Sequence, residues 1–462
     1  MMKNYLYLII VVLFLGCNST QKKEQKECIS DNSSLLVSKA HFPEWSANAC
    51  IYEVNVRQYT PEGTFEAFSE HLPRLQQMGV KILWIMPIYP IAKINRKGTL
   101  GSYYAISDYK AVNPEFGNFN DFKKLVEEAH SMGFKVILDW VANHTGWDGP
   151  WITTHSEWYT QDEIGNIVSP VEDWSDVADL NYTVPKMREA MIDAMEYWVS
   201  EADIDGYRCD VAGMVPVGFW EEARARLDNI KPIIMLAEDE DEPALLENAF
   251  NINYGWSFHH LMNKIAQGKA GVADLKQWFA DTQTTYPIGS YAMNFTSNHD
   301  ENSWNGTEYE RMGDAVKTMA ALTFVIPGIP LIYSGQEASL NKRLEFFEKD
   351  EIDWSKLDMQ LFYSKLIEAK ANNNALWNGC AGAKIKFVDM KEENNLLVFV
   401  RQTEENKVLA IFNLSDSVVK NTFNDKKVKG KYSDVMTNKT LKISSTDNIE
   451  VDPWEFMILI EE

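Results

Sequence analysis

Cysteine is scarce in this chain, which has 5 among 462 residues. The four that follow Cys17 are Cys28, Cys50, Cys209 and Cys380. They are too few and too scattered for a disulfide scaffold, and none of their spacings is that of a zinc site. A bridge between Cys28 and Cys50 fits an oxidising compartment, whereas Cys209 lies in an apolar stretch and is expected to be buried.

Positive charge is also in short supply. The chain has 44 Lys and Arg residues and 67 Asp and Glu residues, so its formal net charge is -23. No basic run follows the first thirty residues, so a polyanion would be repelled and nucleic acid is excluded as a partner. A neutral polymer would not be repelled. With 45% hydrophobic residues the chain can form one large core plus a smaller domain.

The amino-terminal apolar run, from Tyr5 to Leu15, is too short to cross a bilayer. Lys3 precedes it and Gly16-Cys17 follows it, which is the pattern of a secretory signal. The end of this run resembles a bacterial lipobox, which implies cleavage before Cys17 and acylation of that cysteine. We therefore expect a signal over 1–16, a lipidated tether over 17–44, and a protein exported to the cell envelope of a bacterium, facing the periplasm or the cell surface. A cleaved signal without lipid is the alternative.

Between residues 50 and 335, short β-branched runs alternate with amphipathic helical stretches, which is typical of a parallel sheet wrapped by helices, and the domain is predicted to span 45–377. Eight such units predict a closed (β/α)8 TIM barrel. The predicted strands start near Ile51, Lys81, Lys135, Gly206, Ile233, Ala249, Tyr291 and Leu331. One helical stripe runs from Phe65 to Met78 and ends at Gly79.

Two further segments complete the predicted organisation. The long interval after the third strand, 145–182, is rich in tryptophan and is expected to be an inserted segment that forms a cleft wall. After residue 377 the apolar pattern changes to period two, so 378–462 is predicted to be an antiparallel β-sandwich.

Three acids stand where predicted strands end. Asp210 and Glu238 close consecutive apolar strands, and Asp300 ends the stretch that follows the seventh strand. Because the carboxyl ends of parallel strands meet at one barrel face, these carboxylates are expected to share a polar pit. Arg208 points the same way as Asp210 and is expected to hold it ionised as a nucleophile, while burial would raise the pKa of Glu238 toward that of a general acid. This pattern indicates glycoside chemistry.

Two histidines follow strand ends in the same predicted pit. His144 comes after the third strand and His299 immediately precedes Asp300. A lone histidine is more often structural, but two at the mouth of one barrel favour contact with a ligand, here sugar hydroxyls.

Seven segments, in order along the chain, resemble the α-amylase family, glycoside hydrolase family 13. They are Gly101-Ser-Tyr-Tyr-Ala-Ile-Ser-Asp-Tyr109, Asp139-Trp-Val-Ala-Asn-His144, Asp179-Leu-Asn181, Gly206-Tyr-Arg-Cys-Asp210, Glu238, Phe295-Thr-Ser-Asn-His-Asp300 and Pro327-Gly-Ile-Pro-Leu-Ile-Tyr-Ser-Gly-Gln-Glu337. The resemblance spans residues 45 to 375 and implies a retaining enzyme that acts on α-glucans such as starch, glycogen or maltooligosaccharides.

The resemblance also implies a role for each matching residue. Asp210 would attack the anomeric carbon, Glu238 would protonate the leaving oxygen, and Asp300 would stabilise the distorted sugar. Arg208, His144 and His299 would bind hydroxyls or orient the acids, and Tyr104 would stack on the reacting ring.

The family often binds calcium between the barrel and the inserted segment. The matching side chains are Asn143 and Asp179, with a carbonyl that would come from Met214, and oxygen ligands of this kind suit Ca²⁺. The alternative for Asn143 is a hydrogen bond within the loop. The chain also departs from the family: where many members have Lys-His after the nucleophile strand it has Gly213-Met214, so contacts on the leaving-group side are not inherited.

Three functions remain open at this point. The first is hydrolysis of α-1,4-glucan. The second is a transglycosylase, or an enzyme for α-1,6 links or cyclodextrins, because transfer and hydrolysis share every catalytic residue. The third is an inactive glucan-binding protein, which would have no need of a complete acid and nucleophile pair.

Overall fold

The computed structural model describes residues 36–282, 285–393 and 395–462. The predicted signal, Cys17 and most of the predicted tether lie outside the described residues. Among the described residues, none of the helices has both the length and the apolar character that a membrane span requires.

Strands and helices alternate through the first three quarters of the chain. The strands are β1 (Ile51–Val54), β2 (Ile82–Ile85), β3 (Lys135–Trp140), β4 (His144–Gly146), β5 (Val177–Asp179), β6 (Gly206–Cys209), β7 (Ile234–Ala237), β8 (Ile252–Tyr254), β9 (Tyr291–Asn294), β10 (Ile329–Tyr333), β11 (Ile385–Phe387), β12 (Leu396–Gln402), β13 (Lys407–Asn413), β14 (Val419–Thr422), β15 (Gly430–Asp434), β16 (Thr440–Ile443), β17 (Asn448–Val451) and β18 (Phe456–Glu461). The helices are α1 (Val56–Tyr59), α2 (Phe65–Ser69), α3 (Leu72–Met78), α4 (Phe119–Ser131), α5 (Pro150–Thr154), α6 (Pro185–Glu201), α7 (Val217–Asp228), α8 (Leu245–Asn248), α9 (Trp256–Ala266), α10 (Val272–Thr282), α11 (Glu308–Met312), α12 (Val316–Val325) and α13 (Gln360–Asn372).

Eight parallel strands close into a barrel in the order β1-β10-β9-β8-β7-β6-β3-β2. The predicted TIM barrel is therefore confirmed, and each predicted strand start lies within three residues of the observed one. Nearly every residue of these strands is buried, because helices cover the outer face and side chains fill the interior.

The predicted helix over residues 65–78 is two helices, α2 and α3. The break precedes Pro73, which has no backbone N–H and whose ring clashes with the preceding turn. Helix α3 ends at Gly79 as expected, in a left-handed conformation with φ 95°.

The inserted segment carries a short antiparallel hairpin in which β4 pairs with β5, with His144 opposite Asp179. This pairing holds the segment against the carboxyl-end face of the barrel, beside the strand ends that carry the acids.

The carboxyl-terminal domain is antiparallel, as predicted. A six-stranded sheet, β11-β12-β13-β18-β15-β16, and the pair β14-β17 enclose their own core. Arg401 of β12 is buried and donates hydrogen bonds to the carbonyl oxygens of Val325, Trp377 and Ala383, which ties this domain to the barrel.

The end of the predicted tether packs on the barrel. Ser38 donates its N–H to the carbonyl of Ile288, and the carbonyl of His41 accepts hydrogen bonds from Arg224 and Asn251. Ordered structure therefore starts before residue 45.

The predicted bridge between Cys28 and Cys50 is wrong, because Cys50 is a free thiol in the buried core. Cys209 is also free and buried, as expected, whereas Cys380 is disulfide-bonded.

Candidate active site

Asp210, Glu238 and Asp300 line one cleft of about 660 Å³ at the carboxyl-end face of the barrel. Asp210 directly follows β6 and donates its N–H to the carbonyl of Trp140. Glu238 directly follows β7 and donates its N–H to the carbonyl of Cys209. Each backbone therefore continues the sheet pairing for one residue beyond its strand. The structure thus brings together the three acids that the sequence singled out, as expected from parallel strands that end on one face.

Arg208 lies at the centre of the acids and is fully buried. Its Nη1 atom donates to Asp210 Oδ1 at 3.1 Å and to Asp139 Oδ1 at 2.9 Å, and its Nη2 atom lies 2.8 Å from Glu238 Oε2. Its Nε atom donates to the hydroxyl of Tyr254 at 3.0 Å. A buried guanidinium with three carboxylate partners is ionised, and its rigid geometry sets the positions of Asp210 and Glu238 together.

One cation does not neutralise all of these acids. Burial, and then the negative charge of Glu238, raise the pKa of Asp210 well above its ordinary value. Burial also raises the pKa of Glu238, against the opposing effect of Arg208. Two carboxyl groups that interact this closely titrate as a pair, and not as independent groups. Burial and the charge of Glu238 act on the pKa of Asp210 against Arg208, so the expectation that Arg208 holds Asp210 ionised stays a prediction.

His299 connects the two sides of the cleft. Its Nδ1 atom donates to Glu53 Oε1 at 2.5 Å, and its Nε2 atom lies 3.2 Å from Asp300 Oδ2 and 2.7 Å from the Tyr104 hydroxyl. Burial acts to lower the pKa of His299, but Asp300 and Glu53 outweigh it and raise that pKa well above its ordinary value. Burial likewise acts to raise the pKa of Asp300, but the imidazolium outweighs it and lowers that pKa. Asp300 is accordingly an anion.

Tyr104 lies at the floor of the cleft with its ring stacked on His299, the ring centroids 5.5 Å apart. Its hydroxyl donates to Asp139 Oδ2 at 3.1 Å. A ring held by polar contacts at one edge presents its remaining surface to a sugar.

His144 also lines the cleft. Its ring meets the ring of Trp174 edge to face, with the ring centroids 5.6 Å apart. Burial lowers the pKa of His144 to about 4, so the imidazole is neutral near neutral pH. Unlike His299, it can either donate to or accept from a hydroxyl group.

Sequence reasoning missed four residues of this site. Glu53 and Asp139 are single acids inside the apolar strands β1 and β3, and that position was an available signal. Trp304 is 51% exposed and donates to Asp300 Oδ1 at 3.2 Å from one helical turn along the chain. Phe346 packs on Trp304 with ring centroids 5.1 Å apart, a contact that only the fold reveals.

Two of the residues implied for calcium lie on paired segments, because Asp179 is opposite His144, the neighbour of Asn143, but the donor set is sparse. Asp179 is half-buried, and burial raises the pKa of its carboxyl group. The Nδ2 atom of Asn143 lies 3.3 Å from His144 Nδ1. Within the described ranges, no group of three or more His, Cys, Asp or Glu side chains is placed to hold a metal ion. One carboxylate, one amide oxygen and the Met214 carbonyl are fewer oxygen donors than the six to eight that Ca²⁺ takes, so these residues fit the ion only in part.

The two positions that the resemblance assigns to the leaving-group side are Gly213 and Met214. A Cβ atom on Gly213 would lie 2.1 Å from Asp239 Oδ2, so the position has no room for a side chain beside that carboxylate. Met214 is 46% exposed. The Lys-His pair common in the resembling family is thus replaced by a bare backbone and an apolar side chain.

Comparison with family models gives two matches along the chain. The model described as alpha amylase, catalytic domain, matches residues 30–174 and 155–413, and the alpha amylase C-terminal all-beta domain matches residues 387–456.

Individual proteins give the same result. Alpha-amylase MalA of Haloarcula japonica is 26% identical over 389 residues, which cover 80% of this chain and 56% of MalA. Maltogenic alpha-amylase of Bacillus acidopullulyticus is 26% identical over 427 residues, which cover 86% of this chain and 70% of that protein. The crystal structure of an alpha-amylase from Lactobacillus plantarum superposes with a TM-score of 0.82 at 30% identity, covering 90% of this chain and 100% of that one. A noncanonic maltogenic alpha-amylase, AmyB from Thermotoga neapolitana, has the same TM-score and identity over 90% of this chain and 98% of its own.

Proposed function

Because the chain belongs to the alpha-amylase family of glycoside hydrolases, we propose that it hydrolyses the α-1,4-glycosidic bonds of starch, glycogen or maltooligosaccharides with retention of configuration. The observation that carries this proposal is the sharing of one buried guanidinium by two acids: Arg208 contacts Asp210 through Nη1 and Glu238 through Nη2. Oxygens held by two nitrogens of one guanidinium lie close together, which suits the retaining geometry, in which the carboxyl groups are about 5 to 5.5 Å apart.

The proposed chemistry uses one proton held by the pair. In the reactive form Glu238 holds the proton and Asp210 is ionised. Asp210 attacks the anomeric carbon while Glu238 protonates the departing glycosidic oxygen, which gives a covalent glycosyl-enzyme. Glu238, now ionised, then takes a proton from water, and the resulting attack releases Asp210 and the sugar.

The remaining residues act on the charge and position of the sugar. The positive charge that develops on the ring in the transition state is stabilised by the Asp300 carboxylate. Tyr104 provides a stacking surface, and hydroxyl groups of the sugar would be contacted by His144, which lines the cleft, and by His299, which lies beside Asp300.

A neutral glucan suits both the charge and the lining of the cleft. The net charge of -23 disfavours anionic polymers. Aromatic side chains line the cleft beside the acids, namely Trp174, Trp304, Phe346 and Phe347. Aromatic faces bind the apolar faces of sugar rings. The names of the relatives, alpha-amylase and maltogenic alpha-amylase, point to the same substrate class.

Transfer to a sugar acceptor is the second candidate. The observation that favours it is the exposed side chain of Met214, at a position that the resemblance assigns to the leaving-group side, because an acceptor sugar could contact this apolar surface in place of water. Early appearance of products longer than the substrate would identify transfer.

For calcium we propose weak binding that affects stability and not the chemical steps. Asn143, Asp179 and the Met214 carbonyl would hold the ion, and water would complete its coordination. When bound, the ion would neutralise the half-buried Asp179 carboxylate and brace the inserted segment.

For localisation we propose export and a lipid anchor at Cys17, supported by the Leu15-Gly16-Cys17 ending of the apolar run. The membrane would then be contacted only through acyl chains.

Replacement of Asp210 by Asn tests the proposed function. We expect Asp210→Asn to abolish the release of reducing sugar from maltoheptaose, whereas Asp241→Asn, at an exposed acid near Glu238, should retain wild-type rates. Unchanged turnover by Asp210→Asn would reject the proposal.

A further inference from the structure

A loop crosses the mouth of the barrel above β1. Residues 94–100, which we call the strap, follow β2 and contact loops that follow β3 and β10. At one end Lys97 Nζ lies 3.1 Å from Asp176 Oδ1 and donates to the carbonyl of Asp173 at 2.7 Å, both in the inserted segment.

The other end of the strap is joined to the loop after β10. Thr99 donates its N–H to Glu348 Oε1 at 2.8 Å and its hydroxyl to Glu348 Oε2, and Leu100 donates its N–H to the carbonyl of Phe347 at 3.1 Å. Gly98 permits this approach: its φ is +64°, and a Cβ atom there would lie 2.5 Å from Phe347 Cβ.

The strap is also braced from within. Arg96 donates to the carbonyls of Ile91 and Ala92 at the start of the loop. Three barrel loops are therefore joined into one continuous rim over β10, β1, β2 and β3, with Lys97 and Phe347 both lining the catalytic cleft.

The position of this rim relative to Glu238 indicates which end of the bound substrate the rim would block. In the closed order β1-β10-β9-β8-β7-β6-β3-β2, β7 is four strands from β1 in either direction. Glu238 follows β7, so the general acid stands across the barrel mouth from the strap. The acid protonates the leaving group, so the leaving group lies on the Glu238 side and the sugar bound to Asp210 extends toward the strap.

From this arrangement we infer that the strap closes the glycone end of the cleft, so that the enzyme acts from the non-reducing end and releases short maltooligosaccharides of uniform length. This inference rests on the proposed function and adds the mode of attack. The rest of the polymer would then leave on the Glu238 side as the leaving group.

A substrate with a blocked non-reducing end tests this inference. An aryl maltoheptaoside with a free end and the same compound with a 4,6-acetal on its terminal glucose are compared. We expect the wild-type chain to cleave the blocked compound about 100-fold more slowly than the free one. The double variant Lys97→Ala/Glu348→Ala removes both side-chain anchors of the strap. It should reduce the ratio of the rate on the free compound to the rate on the blocked compound about tenfold.

Matched controls remove the same residue types nearby. Lys93→Ala changes an exposed side chain just before the strap, and Glu351→Ala changes an exposed side chain shortly after Phe347. Both variants should keep the wild-type ratio of the two rates. Thermal unfolding followed by circular dichroism checks that every variant is folded. A second measure of internal cleavage is the loss of iodine staining of amylose for each reducing end that is released.

Three results would overturn the inference. Equal wild-type rates on the two compounds would show that the glycone end is open. An unchanged ratio in the folded double variant would show that the strap is not the barrier. Cleavage of neither compound by the wild-type chain would instead contradict the proposed function, and the inference with it.

Discussion

The Nη2 atom of Arg208 lies 2.8 Å from Oε2 of Glu238. The strand pattern of the sequence pairs Arg208 with Asp210 only, two residues along the same strand. The structure shows that the same guanidinium spans β6 and β7, so the nucleophile and the acid are positioned by one buried group. Displacement of Arg208 would therefore disturb both steps of catalysis together.

The proposed mechanism predicts a pH profile of activity that responds to the charge of Asp300. Activity requires Asp210 ionised and Glu238 protonated, so the rate falls at low pH as Asp210 gains a proton and at high pH as Glu238 loses one. The negative charge of Asp300 contributes to the raised pKa of Glu238. Asp300→Asn removes that charge, so the alkaline limb of kcat/KM should move to lower pH, by about one unit.

The measurement is the pH dependence of the residual activity of Asp300→Asn on an activated aryl maltoside. Glu53 still pairs with His299 in this variant, which limits the change in the imidazolium. An alkaline limb that stays in place or moves to higher pH would show that Asp300 does not act on Glu238 through its charge.

Trp304 is predicted to have two separable roles, because its face is exposed to the cleft and its indole N–H holds Asp300. Trp304→Ala should raise KM about tenfold and lower kcat about tenfold. Trp304→Phe keeps the ring but not the N–H, so it should restore KM and leave kcat low. Steady-state kinetics on maltoheptaose measure both constants.

The control for Trp304 is Leu361→Ala, at an apolar residue of α13 that is 68% exposed. It should have wild-type constants. If Trp304→Phe restored kcat as fully as KM, the hydrogen bond to Asp300 would have no role in positioning that acid.

Asp205 should be a major contributor to stability, although it lies at the barrel end away from the cleft. It is buried and accepts from His130 Nε2 at 2.6 Å, from Lys135 Nζ at 3.0 Å and from the N–H of Val136 at 2.9 Å. Burial acts to raise its pKa, but His130, the positive charge of Lys231 and the N–H of Val136 outweigh it and lower the pKa of Asp205 to about 2. Asp205→Asn should therefore lower the free energy of unfolding by about 2 kcal/mol at neutral pH.

Because the pKa of Asp205 is lowered in the folded state, its contribution to stability depends on pH in one direction only. A depressed folded-state pKa contributes stability that is fully present above the unfolded value, about 3.9, and is lost as the pH falls through about 2. Urea unfolding should show the deficit of Asp205→Asn shrinking across that interval. Asp203→Asn, in which an exposed carboxylate pairs with Lys231, should change stability little. Equal effects of the two variants would contradict the assignment.

The calcium proposal predicts a stability effect without a catalytic one. Millimolar CaCl₂ should raise the melting temperature by a few degrees, because an ion that binds only the folded chain stabilises it. Asp179→Asn should remove this rise, and a chelator should leave the rate on maltoheptaose unchanged at moderate temperature. A melting temperature insensitive to Ca²⁺ in the wild-type chain would reject a calcium site here.

Some parts of the site were predictable from the sequence and others were not. Asp210, Glu238 and Asp300 stand at the ends of strands whose apolar pattern is clear, and closing of the barrel necessarily brings such ends to one face. Glu53 carries the same signal in β1, but its partner His299 is distant in sequence and only the closed sheet brings them into contact. The raised pKa values of Asp210 and Glu238 could not be predicted from the sequence, because they depend on burial and on distances between charges.

The loops were the least predictable part. The strap has no marked periodicity, and its contacts with Asp176 and Glu348 depend on how three loops fold over the barrel mouth. The predicted helix over 65–78 was broken by Pro73, a local effect that the apolar stripe concealed.

Trapping of the glycosyl-enzyme tests the central claim most directly. The wild-type chain is incubated with a 5-fluoro-α-glycosyl fluoride, which slows the second step more than the first, and the labelled peptide is identified by mass spectrometry. The account predicts one covalent sugar on the carboxylate of Asp210, and none in Asp210→Asn. A label on Glu238, on Asp300 or on another residue, or turnover without any covalent sugar, would contradict it.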